Sequence, residues 1–242
     1  MLLGAEGDAT DRERMVLARC AGTPLEHVLG WADFAGVRVS ISVGVFVPRP
    51  RSELMVECAV ELLRAGDTVV DLCCGTGAIG AAIRERVPHL DLHACDNDPV
   101  AVACARRNLE PRGGHVHLGD LDVPLPARLR GGVHVMVANA PYVPTAAIQL
   151  LPHEARDHEP LAALDGGADG LDIQRRIAAL APRWLSDGGH LLIETSADQA
   201  GRTVALLTAA GFTARSVHSQ DRDATVVVGR YGGSRTASSA PC

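Results

Sequence analysis

At 242 residues the chain is long enough to bury one substantial hydrophobic core, with room for a small appendage. Hydrophobic residues make up 47% of it and charged residues 21%, which is ordinary for a soluble globular protein. The net charge is −6, there is no lysine, and aromatic residues make up only 3%. Neither phosphate binding nor base stacking is supported by this composition, so we do not expect a nucleic-acid partner.

The sequence predicts neither a targeting signal nor a disulfide framework. No apolar run approaches the length of a transmembrane helix, and the N-terminus lacks the basic-then-apolar pattern of a signal peptide. The seven cysteines form no Cys-x-x-Cys pair. We expect a cytoplasmic protein, not associated with a membrane, whose thiols are reduced.

The predicted elements divide the chain into four parts: a short helical N-terminal segment (1–30), a β-hairpin linker (31–48), the main domain (49–231) and a disordered tail (232–242). One or two short helices are predicted between Asp11 and Leu29. The hairpin is predicted from the alternation of apolar and polar residues between Phe34 and Phe46, which Pro48 ends. The tail is small and polar, which is typical of disorder.

Strands and helices alternate through the main domain. Ser52 is placed to cap a helix that runs to about Arg64, and Asp98-Pro99 supplies the N-cap and first position of another. The predicted strands are Thr68–Leu72, Leu90–Cys95, His115–Leu118, Val133–Ala138, His190–Glu194, Phe212–His218 and Ala224–Gly229. The other predicted helices are Ala78–Val87, Leu171–Leu185 and Asp198–Ala210. This order predicts an α/β fold, a mostly parallel seven-stranded sheet with helices on both faces.

A glycine turn follows the first strand of the main domain. Gly75, Gly77 and Gly80 match the pattern Gly-x-Gly-x-x-Gly, and Asp96 ends the next strand, which read alone indicates a dinucleotide site. Asp71, four positions before Gly75, argues against a diphosphate because a carboxylate repels it. The same carboxylate suits a ligand with an ammonium and a sulfonium, so the turn favours a methyltransferase that uses S-adenosylmethionine over a dehydrogenase.

Other positions fit the same ligand. The glycines let the backbone approach it, and the N-terminus of the following helix can receive its carboxylate. Asp96 is expected to accept hydrogen bonds from the ribose hydroxyls. Asp120 and Leu121, after the third strand, predict an adenine pocket with a carboxylate for the exocyclic amine and an apolar side chain for the ring.

A second motif, Asn139-Ala140-Pro141-Tyr142, ends the fourth strand, where open α/β sheets bind their ligands. It closely resembles the Asn-Pro-Pro-Tyr motif of methyltransferases that modify planar nitrogens. An amide nitrogen is a poor nucleophile because its lone pair is delocalised. The Asn139 side-chain oxygen and the Ala140 carbonyl can each accept a hydrogen bond from one NH2 group and so orient it for in-line attack. Tyr142 can stack on the planar group, and these four residues are the predicted catalytic residues.

Together the motifs resemble the HemK-type protein glutamine N5-methyltransferases, which modify peptide chain release factors. The resemblance covers about residues 22–230 and also includes Gly22–Gly30, Phe46–Glu53 and residues 156–171. It implies a class I, Rossmann-like methyltransferase fold, S-adenosyl-L-methionine as cofactor, and a protein glutamine as methyl acceptor. It places the cofactor site on Cys73, Cys74, Gly75, Thr76, Gly77, Asp96, Leu121 and Asn139, to which the pattern itself adds Asp71 and Asp120.

The sequence departs from the family in three places. Ala140 stands where proline is usual, which keeps the carbonyl but makes the loop less rigid. Leu121 stands where an aromatic residue often packs on adenine. The N-terminal helical domain that helps the family hold its protein substrate is reduced to about thirty residues, as in a short actinobacterial-type branch, so the substrate is left open.

Three other functions remain open on the sequence alone. The four-residue loop can hold the exocyclic amine of adenine, which would make the protein a nucleic-acid N6-methyltransferase. A small-molecule N-methyltransferase of secondary metabolism fits the reduced N-terminal segment. A pseudoenzyme that binds the cofactor as an interaction module is disfavoured, because the cofactor residues and Asn139 are all retained.

The remaining candidates are interpreted as structural. His153 and His158 are five positions apart and do not share a helical face, so no metal site is predicted there or elsewhere. His93 alternates with Cys95 on a strand and is expected to be a packing residue. Arg49 and Ser52 are expected either to touch the cofactor or acceptor or to have a structural role.

Overall fold

The computed structural model describes residues 9–232 as a succession of helices and strands. The strands in this range are β1 (Trp31–Phe34), β2 (Val37–Ser40), β3 (Thr68–Leu72), β4 (Asp91–Asp96), β5 (His115–Leu118), β6 (Val133–Ala138), β7 (Leu185–Thr195), β8 (Phe212–Ser219) and β9 (Ala224–Tyr231). The α-helices in it are α1 (Ala9–Cys20), α2 (Leu25–Leu29), α3 (Glu53–Leu62), α4 (Ala78–Arg86), α5 (Pro99–Leu109), α6 (His153–His158), α7 (Asp172–Leu180) and α8 (Ala200–Ala209). The predicted disordered tail lies, apart from Gly232, outside the described residues.

Seven of these strands form one sheet, as the sequence predicted. Their order in the sheet is β5-β4-β3-β6-β7-β9-β8. The strands from β5 to β7 pair in parallel, while β9 is antiparallel to both of its neighbours. The chain runs outward from β3 to β5 and then crosses back to β6 on the other side of β3. Such a reversal leaves a crevice at the carboxyl ends of β3 and β6, which is where this kind of sheet binds ligands.

Helices cover both faces of the sheet, so its central strands are buried on both sides. Val69 and Val70 point to opposite faces of β3 and are both fully buried. Val69 belongs to the core that includes Ile83 of α4, and Val70 to the core that includes Ile177 of α7. This double burial explains why the strands read as continuous apolar runs. No helix within residues 9–232 has the length and apolar character needed to cross a membrane.

The hairpin is real but lies earlier than predicted. It occupies Trp31–Ser40 rather than Phe34–Phe46, and the two-residue turn between its strands is Ala35-Gly36. Both turn residues have positive φ, 50° and 85°, as the tightest hairpin turns require. Residues 41–47 leave this small sheet and form a turn. Their apolar side chains alternate because alternate residues are buried, and not because the segment pairs as a strand.

The boundary between α7 and β7 also differs from the prediction. The helix predicted to end at Leu185 ends at Leu180, and the strand predicted from His190 begins at Leu185. Pro182 has no amide hydrogen and cannot continue the hydrogen bonds of the helix. The observed strand β7 includes Gly188-Gly189, and its register with β6 shifts there. A bulge of this kind lets a strand continue past two glycines.

Candidate active site

A cavity of about 340 Å³ opens at the carboxyl ends of β3, β4 and β6, at the reversal of strand order. A volume of this size is in the range of small-molecule and cofactor sites. The predicted site residues that line it are Cys73, Cys74, Gly75, Thr76, Asp96, Asp120, Leu121, Asn139, Ala140, Pro141 and Tyr142. Asp71 and Gly77 are predicted site residues that do not line it. The wall also includes Phe34, Val45, Phe46 and Pro48, which the sequence did not assign to the site.

The glycine turn joins β3 to α4 through backbone conformations that favour glycine. Cys73, Gly75 and Gly77 have φ values of 55°, 55° and 75°. A Cβ on Gly75 would meet no atom within 4 Å, so the backbone there faces open space. A Cβ on Gly77 would lie 2.9 Å from Cδ1 of Leu109 on α5. Gly77 therefore permits close packing of α4 against α5, whereas Gly75 leaves room for a ligand.

Asp71 supports the glycine turn from inside the protein. Its side chain is buried, and Oδ2 accepts a 3.0 Å hydrogen bond from the Gly80 amide in the first turn of α4. Oδ1 has no hydrogen-bond partner among the described residues. Burial raises the pKa of this carboxyl to about 7, and the Gly80 hydrogen bond opposes the rise. Asp71 thus acts on the cavity through the turn and not as part of its wall.

Asp96 lines the cavity at the end of β4. Its Oδ2 accepts a 2.8 Å hydrogen bond from the Gly75 amide, and its Oδ1 accepts one of 3.0 Å from the Asp98 amide. Burial raises its pKa, while these backbone hydrogen bonds oppose the rise. The carboxylate is therefore held in one orientation, with lone pairs on both oxygens still available to hydroxyl donors. Asp98 also caps α5, as predicted, by accepting a 2.8 Å hydrogen bond from the Val100 amide.

The predicted adenine pocket combines an apolar wall with an exposed ion pair. Leu121 is buried, has a φ of 48°, and its carbonyl accepts a 2.9 Å hydrogen bond from the Cys95 thiol. Asp120 is paired with Arg176 of α7, a cavity residue that the sequence did not predict. About half of each of these two side chains is exposed, so solvent screens the pair and a ligand can compete for the carboxylate.

Asn139 is positioned by Ser52. The Nδ2 group of Asn139 donates a 3.3 Å hydrogen bond to the Ser52 hydroxyl, which directs the NH2 toward the buried start of α3. Its Oδ1 is then the acceptor left for a ligand. Ser52 occupies the N-cap position of α3 as predicted, but its side chain makes no capping hydrogen bond, because its hydroxyl is used by the site instead. Ala140 is 1% exposed and follows directly in the cavity wall.

The segment after Tyr142 is held by two loops on the other side of the cavity. The Tyr142 carbonyl accepts a 2.8 Å hydrogen bond from Nε2 of Gln199. Val143 pairs with the chain at Leu164 and Gly166 through backbone hydrogen bonds of 3.0 and 2.9 Å. A Cβ on Gly170 would lie 2.3 Å from the Tyr142 carbonyl oxygen, so only glycine fits there. Residues 164–170 are therefore in direct contact with the end of the Asn-Ala-Pro-Tyr motif and the residue that follows it.

Glu194, near the end of β7, does not line the cavity but contacts two residues that do, and the sequence did not predict it. Its side chain is 2% exposed, and Oε1 lies 3.3 Å from the Tyr142 hydroxyl and 3.5 Å from Nε of Arg51. Oε2 has no partner among the described residues. Burial raises the pKa of Glu194, while a hydrogen bond from Ser52 and the charge of Arg51 oppose the rise. The available signal was its place at the carboxyl end of a parallel strand, beside the predicted motif.

Arg49 has a structural contact. Its guanidinium pairs with Glu159, whose side chain is fully buried and also accepts a 3.2 Å hydrogen bond from the Val47 amide. His27 of α2 is bonded to the Val45 carbonyl at 2.9 Å. These contacts hold the cavity-lining segment between the N-terminal helices and the loop that contains Glu159. Arg49 does not line the cavity, in contrast to its neighbours Arg51 and Ser52.

Comparison with known proteins agrees with this geometry. The Methyltransferase small domain family matches residues 42–153. The release factor glutamine methyltransferase of Geobacter sulfurreducens is 36% identical over 224 residues, which cover 90% of this chain and 77% of that protein. The protein of the same name from Mycolicibacterium smegmatis is 39% identical over 198 residues, which cover 81% of this chain and 70% of that protein.

Solved structures agree at the level of the fold. A methyltransferase from Pyrococcus furiosus has a TM-score of 0.60 at 16% identity, covering 92% of this chain and 99% of that one. The 16S rRNA N2 G1207 methyltransferase of T. Thermophilus, solved with AdoMet and guanosine, has a TM-score of 0.60 at 18% identity, covering 83% of this chain and 49% of that one. The predicted resemblance is confirmed: the chain belongs to the release factor glutamine methyltransferase family, whose members are S-adenosylmethionine-dependent methyltransferases.

Proposed function

We propose that this chain transfers a methyl group from S-adenosylmethionine to the side-chain nitrogen N5 of a glutamine in a peptide chain release factor. The observation that carries the proposal is the orientation of Asn139 in the cavity wall. Its NH2 group is committed to Ser52, so its oxygen is presented as a hydrogen-bond acceptor beside the Ala140 carbonyl. Two adjacent acceptors match the two N–H donors of a primary amide.

The cavity suits the cofactor. Asp96 offers two aligned carboxylate oxygens to vicinal hydroxyls, and the backbone at Gly75 faces open space. Leu121 supplies an apolar surface for a ring, with the Asp120 carboxylate next to it. S-adenosylmethionine, when bound, supplies a methyl group on a positively charged sulfur, which leaves as a neutral thioether.

The contribution of the chain is to hold the acceptor. The Asn139 oxygen and the Ala140 carbonyl each accept a hydrogen bond from the acceptor NH2 group and so prevent it from rotating. Tyr142, whose hydroxyl is bonded to Glu194, presents its ring to the planar amide. Two fixed acceptors also stabilise the positive charge that develops on the nitrogen as the C–N bond forms. That charge makes an N–H proton acidic, so the proton leaves to water after the transfer and a strong base is not needed before attack.

The release factor is proposed from the names of the relatives, and composition supports a protein acceptor over nucleic acid. The net charge of −6 and the seven aromatic residues of the chain, three Phe, two Trp and two Tyr, give little for a polynucleotide to bind. Because release factors act on ribosomes, we place the activity in the cytoplasm.

The test is methyl transfer from labelled S-adenosylmethionine to three acceptors offered separately: a purified bacterial release factor, total RNA, and a small-molecule extract. Label should enter the release factor with the wild-type chain and fall sharply with Asn139→Ala. Label that enters RNA or the extract while the release factor stays unlabelled would overturn the proposal.

A further inference from the structure

A cluster of imidazoles and one carboxylate lies away from the cavity, on strands β4 and β5. Asp91 and His93 share one face of β4, and His115 and His117 share the same face of β5, since side chains two residues apart on a strand point the same way. His93 is the direct register partner of His115. The His93 ring stacks on those of His115 and His117, with ring centroids 4.9 and 5.2 Å apart.

We propose that Asp91, His93 and His115 form a binding site for a divalent transition metal of the zinc class. One ligand atom from each of the three residues lies within 4.8 Å of the others. Nε2 of His93 and Oδ1 of Asp91 are 3.1 Å apart, close to the roughly 3.3 Å that separates two ligands of a tetrahedral zinc ion. His115 is exposed, so a small rotation of its side chain brings its nitrogen to the third position.

His117 completes the arrangement from outside the ligand set. Its Nε2 lies 2.9 Å from Nδ1 of His93. When Nδ1 of His93 donates a hydrogen bond to Nε2 of His117, Nε2 of His93 carries the lone pair that a metal needs. A hydrogen bond of this kind at the second ring nitrogen is what orients most metal-binding histidines. His93 is 1% exposed and its ring is clamped by stacking, so the ligand geometry costs little ordering on binding.

Arg128 is the group that opposes a cation here. Its guanidinium lies 3.4 Å from Nε2 of His93, but the arginine itself is exposed and can move into solvent. Arg106 is the other charged group that acts on the cluster, through His117. Arg128 therefore provides a direct test. Its removal should raise the affinity of the site for a metal ion, whereas it would remove a partner from a cluster held only by hydrogen bonds.

The site would join the edge strand β5 to its neighbour at the amino-terminal end of the sheet. The methyl-transfer cavity lies at the opposite, carboxyl end, so the two sites can be tested independently. This inference departs from the expectations that His93 is only a packing residue and that the chain binds no metal. A metal that bridges two strands would stabilise the folded state by an amount that grows with the ratio of free metal concentration to its Kd.

The test uses the full chain, freed of metal with a chelator and titrated with Zn²⁺ by calorimetry, with the melting temperature followed in parallel. Wild type should bind one Zn²⁺ and melt at a higher temperature. His115→Ala should bind about 10- to 100-fold more weakly, and Arg128→Ala should bind more tightly. His153→Ala, which removes an exposed histidine paired with Asp157 on α6, should bind like wild type.

Three results would overturn the proposal. One is the absence of a stoichiometric binding event, and another is wild-type affinity in His115→Ala. The third is a Co²⁺ absorption spectrum with thiolate-to-metal charge transfer, which would place the ion on cysteine thiolates and not on this cluster. Methyltransferase activity is not part of the readout, so failure here leaves the proposed function untouched.

Discussion

The Tyr142 hydroxyl and the buried Glu194 carboxylate lie within hydrogen-bonding distance, 3.3 Å, across the ends of β6 and β7. The same carboxylate takes a hydrogen bond from Ser52 and the charge of Arg51, and Ser52 in turn holds Asn139. Glu194 therefore connects both ends of the four-residue loop that is proposed to clamp the amide.

Glu194→Ala should lower kcat about 10- to 100-fold, because both Tyr142 and Ser52 lose a partner and the acceptor amide is held less accurately. The Kd for S-adenosylhomocysteine should stay close to wild type. Glu194→Gln should recover much of the rate, since it keeps an oxygen acceptor. The matched control is Glu57→Ala, which breaks a 2.8 Å pair with Arg222, two residues that do not line the cavity. An equal loss of rate in the control, or wild-type kcat in Glu194→Ala, would contradict a positioning role.

Asn139→Ala should reduce turnover by roughly 100- to 1,000-fold, the effect of deleting one preorganised polar contact at a reacting group. Ala140→Pro should be nearly neutral, because it keeps the backbone carbonyl and restores the usual family residue. Steady-state kinetics with the methyl acceptor as substrate measures the turnover of both variants. Near-normal turnover in Asn139→Ala would show that the loop is only a turn.

Asp96→Ala should weaken S-adenosylhomocysteine binding by about 1–3 kcal/mol, because buried hydroxyl donors of the ligand are left unpaired. The loss includes a contribution from the Gly75 and Asp98 amides, which also bond to this carboxylate. Calorimetry with Asp96→Ala, Asp96→Asn and wild type separates the ligand contribution from the backbone contribution, since asparagine keeps one acceptor oxygen. Wild-type affinity in Asp96→Ala, or tight binding of NAD by the wild type, would be incompatible with the assignment.

Asp71 predicts a pH-dependent stability. Burial raises the pKa of its carboxyl from 3.8 to about 7. A raised pKa means that the folded state holds the proton more tightly than the unfolded state. The contribution to stability is therefore complete below pH 3.8 and is lost as the pH rises toward 7, at about 1.4 kcal/mol per pH unit.

Asp71→Asn removes this titration but keeps an acceptor for the Gly80 amide. Between about pH 5 and 7, urea unfolding should give a free energy that declines more steeply for wild type than for the variant. Asp187→Asn, at an exposed position of β7, should keep the wild-type slope. Parallel curves for wild type and Asp71→Asn would show that Asp71 does not titrate in this range.

The sequence was sufficient for the elements that carry strong local signals. Apolar runs between helices predicted the parallel sheet, and the two motifs fell on strand ends, so most of the predicted site residues meet in one cavity. The hairpin was misplaced because buried residues in an irregular segment alternate as strand residues do. Its true turn, Ala35-Gly36, requires an alanine at positive φ, which is uncommon for a residue other than glycine and is not predicted from sequence.

The contacts that position the loop could not be predicted. Ser52, Tyr142 and Glu194 are brought together only by the sheet, because they belong to segments far apart in the chain. The sequence left Ser52 open between a site role and a structural one, and it indicated nothing for Glu194 beyond a place at a strand end. The orientation of Asp71 could not be predicted for a similar reason, since only the packing of α4 shows that the Gly80 amide donates a hydrogen bond to its carboxylate.

The most direct test of the proposed activity is peptide mass spectrometry of a purified release factor incubated with this chain and S-adenosylmethionine. We expect a single methyl group on the side-chain nitrogen of one glutamine, formed by the wild type and almost absent with Asn139→Ala. An unmodified glutamine, under conditions in which the same preparation methylates RNA or a small molecule, would contradict it.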